Sequence, residues 1–204
     1  MRDETAARAT RGEGRRFLIE PATVADVPGI VEALVDAVAV AYRDLKVEPG
    51  KEGVPAMIRD LTHRKPREFE ELIAGGGRVF VHRTADGRIA GFAQFSHVRT
   101  DASAIPFTFF EGWHVLREYR GTGLAKSLLR LVLLESGDVE IRTMTTRDSP
   151  AWTVFKEKLG CVETGGLTPT PAPLAMAGLD ARQQSLVLTR AKRRELLDGW
   201  LAGF

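Results

Sequence analysis

The sequence predicts a mixed α/β domain, and three observations carry that reading. Short runs rich in Val, Ile and Phe alternate with longer stretches whose apolar residues recur every three or four positions. Two of the short runs flank Ala85-Asp86-Gly87, a hairpin turn signal. A glycine-containing turn, Arg120–Ala125, lies between a short run and a leucine-rich stretch, as in a strand–helix–strand crossover.

The elements follow in order. Phe17-Leu18-Ile19-Glu20, ending at Pro21, is a first strand. Thr23-Val24-Ala25-Asp26 fits a capping box with Asp in the far position. Val27, Ile30, Val31, Leu34, Val35 and Val38 then give helical spacing, so residues 24–43 form an amphipathic helix, broken by Glu48-Pro49-Gly50. Residues 54–74 are helical in two pieces, divided near Lys65-Pro66. After the turn at Gly75-Gly76-Gly77, Val79–Val81 and Ile89–Ser96 form the hairpin, and a further strand falls within Phe107–Leu116. A buried helix begins near Thr122, with leucines at 124, 128, 129, 131, 133 and 134. Val139–Thr145 is the next strand; Ser149-Pro150 opens a helix that Gly160 closes. Residues 165–180, rich in Gly, Pro and Thr, read as a loop before a last strand at Gln184–Thr189. A terminal helix spans 191–201, with Leu196, Leu197, Trp200 and Leu201 on one side.

Composition bounds the function. The 204 residues are 44% hydrophobic and 27% charged, ordinary for a soluble globular chain. The net charge of +2 is too balanced to argue for a nucleic-acid partner, and the run Lys192-Arg193-Arg194-Glu195 reads as a solvated helix face. The single cysteine, Cys161, excludes an intramolecular disulfide and fits a reducing cytoplasm. No uninterrupted apolar stretch reaches the roughly 18 residues a membrane span requires. Residues 1–15, charged and small, read as a disordered arm with no secretory character. His63, His82, His97 and His114 have no metal-ligand spacing, so no catalytic metal is expected. No internal repeat or interior linker divides the chain.

Arg120-Gly121-Thr122-Gly123-Leu124-Ala125 carries the chemistry. A helix's first turn leaves backbone N–H groups unpaired, and the macrodipole adds partial positive charge there. Glycines let the chain turn tightly and let a phosphate approach the backbone, which makes a pyrophosphate cradle. The motif is neither a Walker loop nor G-x-G-x-x-G, because Lys126 follows Ala125.

This stretch resembles motif A of the GCN5-related N-acetyltransferase (GNAT) superfamily, Arg/Gln-x-x-Gly-x-Gly/Ala, through Arg120, Gly123 and Ala125. The lead-in Val115–Gly121 is similar to the family's V-x-P-x-Y-R-G, with Arg117 in place of the proline. Thr143–Cys161 resembles motif B, and Phe17–Leu34 the opening strand and helix. The resemblance covers about 16–166 and implies one acyltransferase domain over 16–190, followed by a C-terminal helix at 191–204. It implies a mostly antiparallel, twisted sheet flanked by helices, in which the strands 107–116 and 139–145 splay apart. It also implies acetyl-CoA as co-substrate. Backbone amides of Gly121, Thr122, Gly123, Leu124, Ala125 and Lys126 would hold the pyrophosphate, assisted by Arg120 and Ser149. Trp113 and Val115 would pair with the pantetheine arm. A small-molecule amine would attack the thioester directly, leaving Cys161 unused, and residues 43–75 and 165–180 would select that amine. The alternative is a catalytically impaired member serving as a CoA-binding sensor.

Glu111 is the candidate base. A two-residue period would place Glu111, Trp113 and Val115 on one strand face, and an acid on an apolar strand is costly unless its site is polar. Glu111-Gly112-Trp113 also resembles the L-E-G segment of some aminoglycoside 6′-N-acetyltransferases and the L-E-R segment of polyamine-type members. The bland alternative is a strand-end carboxylate facing solvent. Many family members place a Tyr in motif B as general acid. The ungapped match puts Lys156 there, and a one-residue slide puts Phe155 there. Lys156 is therefore the candidate acid or phosphate contact, or else a solvated helix residue. His97 and His114 fall near strand ends beside the expected cleft. The apolar side of the terminal helix has to be covered by the chain's own sheet or by a second copy, and a homodimer is the expectation.

Overall fold

A computed structural model describes residues 8–12, 15–44, 53–98, 105–147, 149–168 and 182–202. Eight strands form one sheet in the order β1-β2-β3-β4-β5-β6-β8-β7. They are β1 (Arg8–Gly12), β2 (Arg15–Pro21), β3 (Arg78–Arg83), β4 (Ile89–Val98), β5 (Phe107–Val115), β6 (Glu140–Thr146), β7 (Val162–Leu167) and β8 (Gln183–Leu188). Every pairing is antiparallel except β5 with β6. That one parallel pair needs a crossover, and helix α3 (Leu124–Glu135) supplies it.

Helices α1 (Val27–Asp44) and α2 (Gly53–Ala74) cover one face of the sheet. Ile30, Leu34, Leu61 and Phe69 pack there on Val81 and Phe92. The opposite face carries α3 and the terminal helix α5 (Arg190–Asp198), where Leu128, Leu129 and Leu133 pack on Phe95, Phe110 and Leu186. The α1 entrance keeps the expected cap: the Asp26 carboxylate accepts the Thr23 N–H at 2.7 Å and the Thr23 hydroxyl at 2.8 Å. Arg83 on β3 grips the same carboxylate through Nε and NH2, at 2.8 and 2.6 Å, and holds Asp26 below the usual carboxylate range. This pins the start of α1 to the sheet.

Several expectations are corrected. Arg8–Gly12 is a strand rather than disordered arm, with Gly12 opposite Arg15; the free edge of β2 offers unpaired backbone groups that a polar segment can satisfy. Residues 1–7 and 13–14 lie outside the described residues. Helix α2 is one piece, with Pro66 inside it. Leu61 and Phe69, on either side of the proline, are buried in the same core, and Arg64–Glu68 and Lys65–Glu68 pairs cross it. Tertiary burial therefore outweighs the lost hydrogen bond. Val162–Leu167 is an edge strand where the sequence gives part of a loop; most of its side chains face solvent, so it has no apolar period to read. Residues 45–52 and 169–181, within segments expected to select the amine, lie outside the described residues.

The terminal helix is covered by its own chain. Leu196 and Leu201 are buried in the α3-side core, which removes the reason for requiring a second copy there. Its basic run is engaged internally: Arg193 Nε donates to Leu133 O at 2.7 Å, Arg194 pairs with Asp138 and Lys192 with Glu195, both at 2.6 Å. Among the described residues no helix is long and apolar enough to cross a membrane.

Candidate active site

The parallel pair β5–β6 holds its register only from Phe107↔Glu140 to Phe110↔Thr143. There the Thr143 hydroxyl donates to Phe110 O at 2.9 Å, and beyond it the strands separate. The gap is a cleft of about 150 Å³, walled by Phe110–His114, by Thr143–Thr145, and by Ala151 and Phe155. β5 keeps its partner β4 along this stretch, with Ala93↔Trp113 and Gly91↔Val115, so its other edge faces the gap without a strand partner. A strand edge of that kind can take an extended amide chain.

The glycine turn and the start of α3 meet the cleft through Trp113, whose Nε1 donates to Ala125 O. Gly121 and Gly123 hold left-handed φ values of 77° and 93°, a region where L side chains are strained. Gly123 is the N-cap of α3 and accepts the first helical bond, from Ser127 N–H at 3.0 Å. The first-turn N–H groups of α3 lie at the positive end of the helix dipole, outside the i→i−4 ladder that starts at Ser127. A Cβ on Gly91 would lie 2.9 Å from His114 O and 3.3 Å from Leu124, so the bare backbone of β4 lets this turn settle close to the sheet. Arg120 turns back on its own strand, its Nε donating to Val115 O at 3.2 Å. The Thr122 hydroxyl donates to Tyr119 O at 2.6 Å and accepts the Leu124 N–H at 3.5 Å, which tightens the loop.

A β-bulge changes the placement of Glu111. Gln94 pairs with Gly112 and Phe95 with Phe110, so Glu111 has no partner across the ladder. The extra residue shifts the alternation by one. Trp113 then lies on the α3 side with Phe110, its Nε1 donating to Ala125 O at 3.0 Å, and Val115 packs in the same cluster. Glu111 instead joins Gln94 and Ser96, on the face that α1 and α2 share. The expectation that Glu111, Trp113 and Val115 share a face is therefore wrong. Gln94 Nε2 donates to one Glu111 oxygen at 2.7 Å and the Ser96 hydroxyl to the other. Gln94 and Ser96 were missed from the sequence; the signal was there, as two polar residues at alternate positions of the otherwise apolar run Ile89–Ser96. His114 lies on this face too, its ring 5.1 Å from that of Phe92. Burial, with the Arg120 charge nearby, pushes its pKa down to about 4, so the imidazole is neutral at pH 7.

Motif B is built from α4 (Pro150–Thr153) and a π turn over Val154–Lys158. Ser149 is occupied as the N-cap, its hydroxyl accepting Trp152 N–H at 3.1 Å. The residue aimed into the cleft is Phe155, edge-on to Phe110 and Trp113. Lys156 points elsewhere: its ammonium pairs with Glu163 on β7 at 3.2 Å, and it does not line the cleft. Cys161 is buried, and burial pushes its thiol up to about 12, which leaves no thiolate at neutral pH.

An open sheet with one parted parallel pair, bridged by a crossover helix that opens on a glycine turn, defines the class of α/β fold. The model of the Acetyltransferase (GNAT) family matches residues 38–160, and the chain belongs to that family. It is 31% identical over 81 residues to an aminoglycoside N(6′)-acetyltransferase type 1 of Stenotrophomonas maltophilia. That match covers 38% of this chain and about half, 52%, of the relative's length. Among solved structures, ribosomal-protein-alanine N-acetyltransferase from Brucella melitensis superposes with a TM-score of 0.58 at 20% identity, covering 83% of this chain and 98% of the other. PaiA N-acetyltransferase from Thermoplasma acidophilum, solved with coenzyme A, gives 0.55 at 15%, covering 82% and 96%. These two structures establish the shared fold.

Proposed function

We propose that the chain is an N-acetyltransferase that moves the acetyl group of acetyl-CoA to a primary amine of a small molecule, by direct attack with both substrates bound. The observation that carries this reading is the parting of β5 and β6 beyond Phe110 and Thr143, with a helix N-terminus on one face of the gap and a hydrogen-bonded carboxylate on the other. The residues suit the cofactor: first-turn amides of α3 for the pyrophosphate, the open edge of β5 at Trp113–Val115 for the pantetheine amides, and an aromatic wall of Phe110, Trp113 and Phe155 to keep water from the thioester. Acetyl-CoA supplies an activated acyl group.

The chain's own residues supply position and proton movement. Glu111, held by Gln94 and Ser96, lies where the incoming ammonium would enter and accepts its proton, directly or through a water. Edge N–H groups of β5 stabilise charge on the thioester oxygen as nitrogen attacks. Phe155 and Lys156 place no acid in the cleft, so the leaving thiolate takes its proton from solvent. That same absence favours the second reading, a CoA-binding sensor with impaired catalysis. The aminoglycoside-acetylating relative supports a small amine as acceptor. The buried, unbridged Cys161 suits a reducing cytoplasm.

Coenzyme A thiol release from acetyl-CoA, measured against a panel of small amines, tests the reading. Turnover with at least one amine is expected, and Glu111→Gln should lower kcat about 10²-fold or more while leaving the acetyl-CoA Kd unchanged. Gly123→Asp should abolish acetyl-CoA binding in a folded protein, because it sets a carboxylate where the pyrophosphate lies. Binding without turnover on any amine would leave the sensor. No binding at all would remove both readings.

A further inference from the structure

Helix α5 runs antiparallel to α3, and the chain just after it reaches the first turn of α3. Arg193, early in α5, bonds to Leu133 O near the far end of α3. Seven residues later, the Trp200 ring lies 5.0 Å from the ammonium of Lys126, in the first turn of α3. The chain is tied down there by a tight turn, with Gly199 N–H on Glu195 O at 2.9 Å and Leu201 N–H on Leu196 O at 2.8 Å. Leu201 is fully buried, and this anchor turns the neighbouring Trp200 outward, where it is 39% exposed. A large aromatic ring half open to water is an unusual surface feature with a recognisable use: a flat face for a flat ligand.

We propose that Trp200 is the adenine platform of the acetyl-CoA site, with Lys126 as the phosphate partner beside it. The inference rests on the acetyl-CoA reading and extends it to the nucleotide end of the ligand. Amides of the α3 first turn take the pyrophosphate, and the adenosine must leave that turn along the protein surface. Among the described residues, the Trp200 indole is the exposed aromatic face beside the first turn of α3, 5.0 Å from the Lys126 ammonium. Lys126, now resting over the ring, pairs with phosphate when the ligand binds, because a charge-assisted bond to phosphate is stronger than an exposed cation–π contact. The indole is then free to stack on the base. The adenosine end is thereby held by a residue outside the matched family segment, which ends at residue 160.

The experiment is calorimetric titration of the full chain and of Trp200→Ala with two ligands. Acetyl-CoA carries the adenosine; S-acetyl-4′-phosphopantetheine keeps the thioester arm and one phosphate but lacks it. The expected result is a five- to tenfold weaker Kd for acetyl-CoA in Trp200→Ala, on the order of one stacked base. The Kd for the phosphopantetheine should be unchanged, and Trp200→Phe should recover part of the loss. Equal weakening for both ligands would overturn the platform, since it would mean that Trp200 supports the fold of the cradle. Unchanged acetyl-CoA affinity in Trp200→Ala would also overturn it. If the wild-type chain binds neither ligand, the acetyl-CoA reading itself fails, a result distinct from both.

Discussion

His114 and Glu111 lie within three positions of each other on β5, and the bulge gives them the same face of the sheet. Their environments differ: Glu111 is exposed and held by two hydrogen-bond donors, whereas His114 is pressed against Phe92 with the Arg120 charge opposing protonation. The linkage has a definite sign. The folded pKa is about 4, below the 6.5 of an unfolded chain, so the unfolded state binds the extra proton between those values. Stability should therefore rise with pH from about 4 to 6.5 and stop responding to this group above that. The expected loss at the acid end of the window is about 3 kcal/mol, set by the gap between the folded and unfolded pKa values. Comparing His114→Gln with wild type by denaturant melts at pH 4.5, 5.5 and 7.5 checks this. The variant costs packing at every pH, but its stability should fall less steeply than wild type below pH 6.5. Parallel curves would mean that His114 titrates normally.

At the level of elements, α2 makes the more informative case. Pro66 leaves the Thr62 carbonyl without its helical donor, yet the helix continues through it because Leu61 and Phe69 are both buried. If packing rather than local preference holds this helix, removing the proline should stabilise the protein. Pro66→Ala is expected to add about 1–3 kcal/mol, read as a higher Tm in calorimetry. A lower Tm would show that the chain uses the proline's bend to seat Phe69. The same competition explains what could be read from the sequence. The apolar strands β3, β4 and β5, the crossover helix α3 and the glycine turn carry their own period or turn chemistry, and each formed within a few residues of its expected span. Strands β1 and β7 have no such period; they exist because an edge was there to pair with. The bulge at Glu111 is a matter of register between two strands, which residue types in one strand do not encode. That single residue moved the candidate base to the other face and left Trp113 and Val115 on the first.

For the whole molecule, the question is what α5 does for the rest of the chain. The family match ends at residue 160, and α5 lies thirty residues beyond it, yet it fills the core on the α3 side. Leu196 and Leu201 are buried among the leucines of α3 and strand β8, and the mostly buried Arg193 supplies a donor to the carboxyl end of α3, where the helix dipole favours a positive charge. Removing residues 190–204 would therefore open an apolar face and strip a carbonyl of its partner. Losing either leucine alone should cost about 2–5 kcal/mol, and a domain of this size holds only about 5–15 kcal/mol in total. Deletion of 190–204 should consequently give a chain that fails to fold cooperatively, seen as loss of a sharp thermal transition and as aggregation in light scattering. Leu201→Ala, a milder change, should keep the fold and lower its stability by the single-leucine amount. A truncated chain that remains a folded monomer, from a full chain that is a dimer, would assign the helix to an interface between copies instead. The two outcomes are distinguished by a single pair of scattering measurements on the full and shortened chains, with Leu201→Ala fixing how much of the loss belongs to the core.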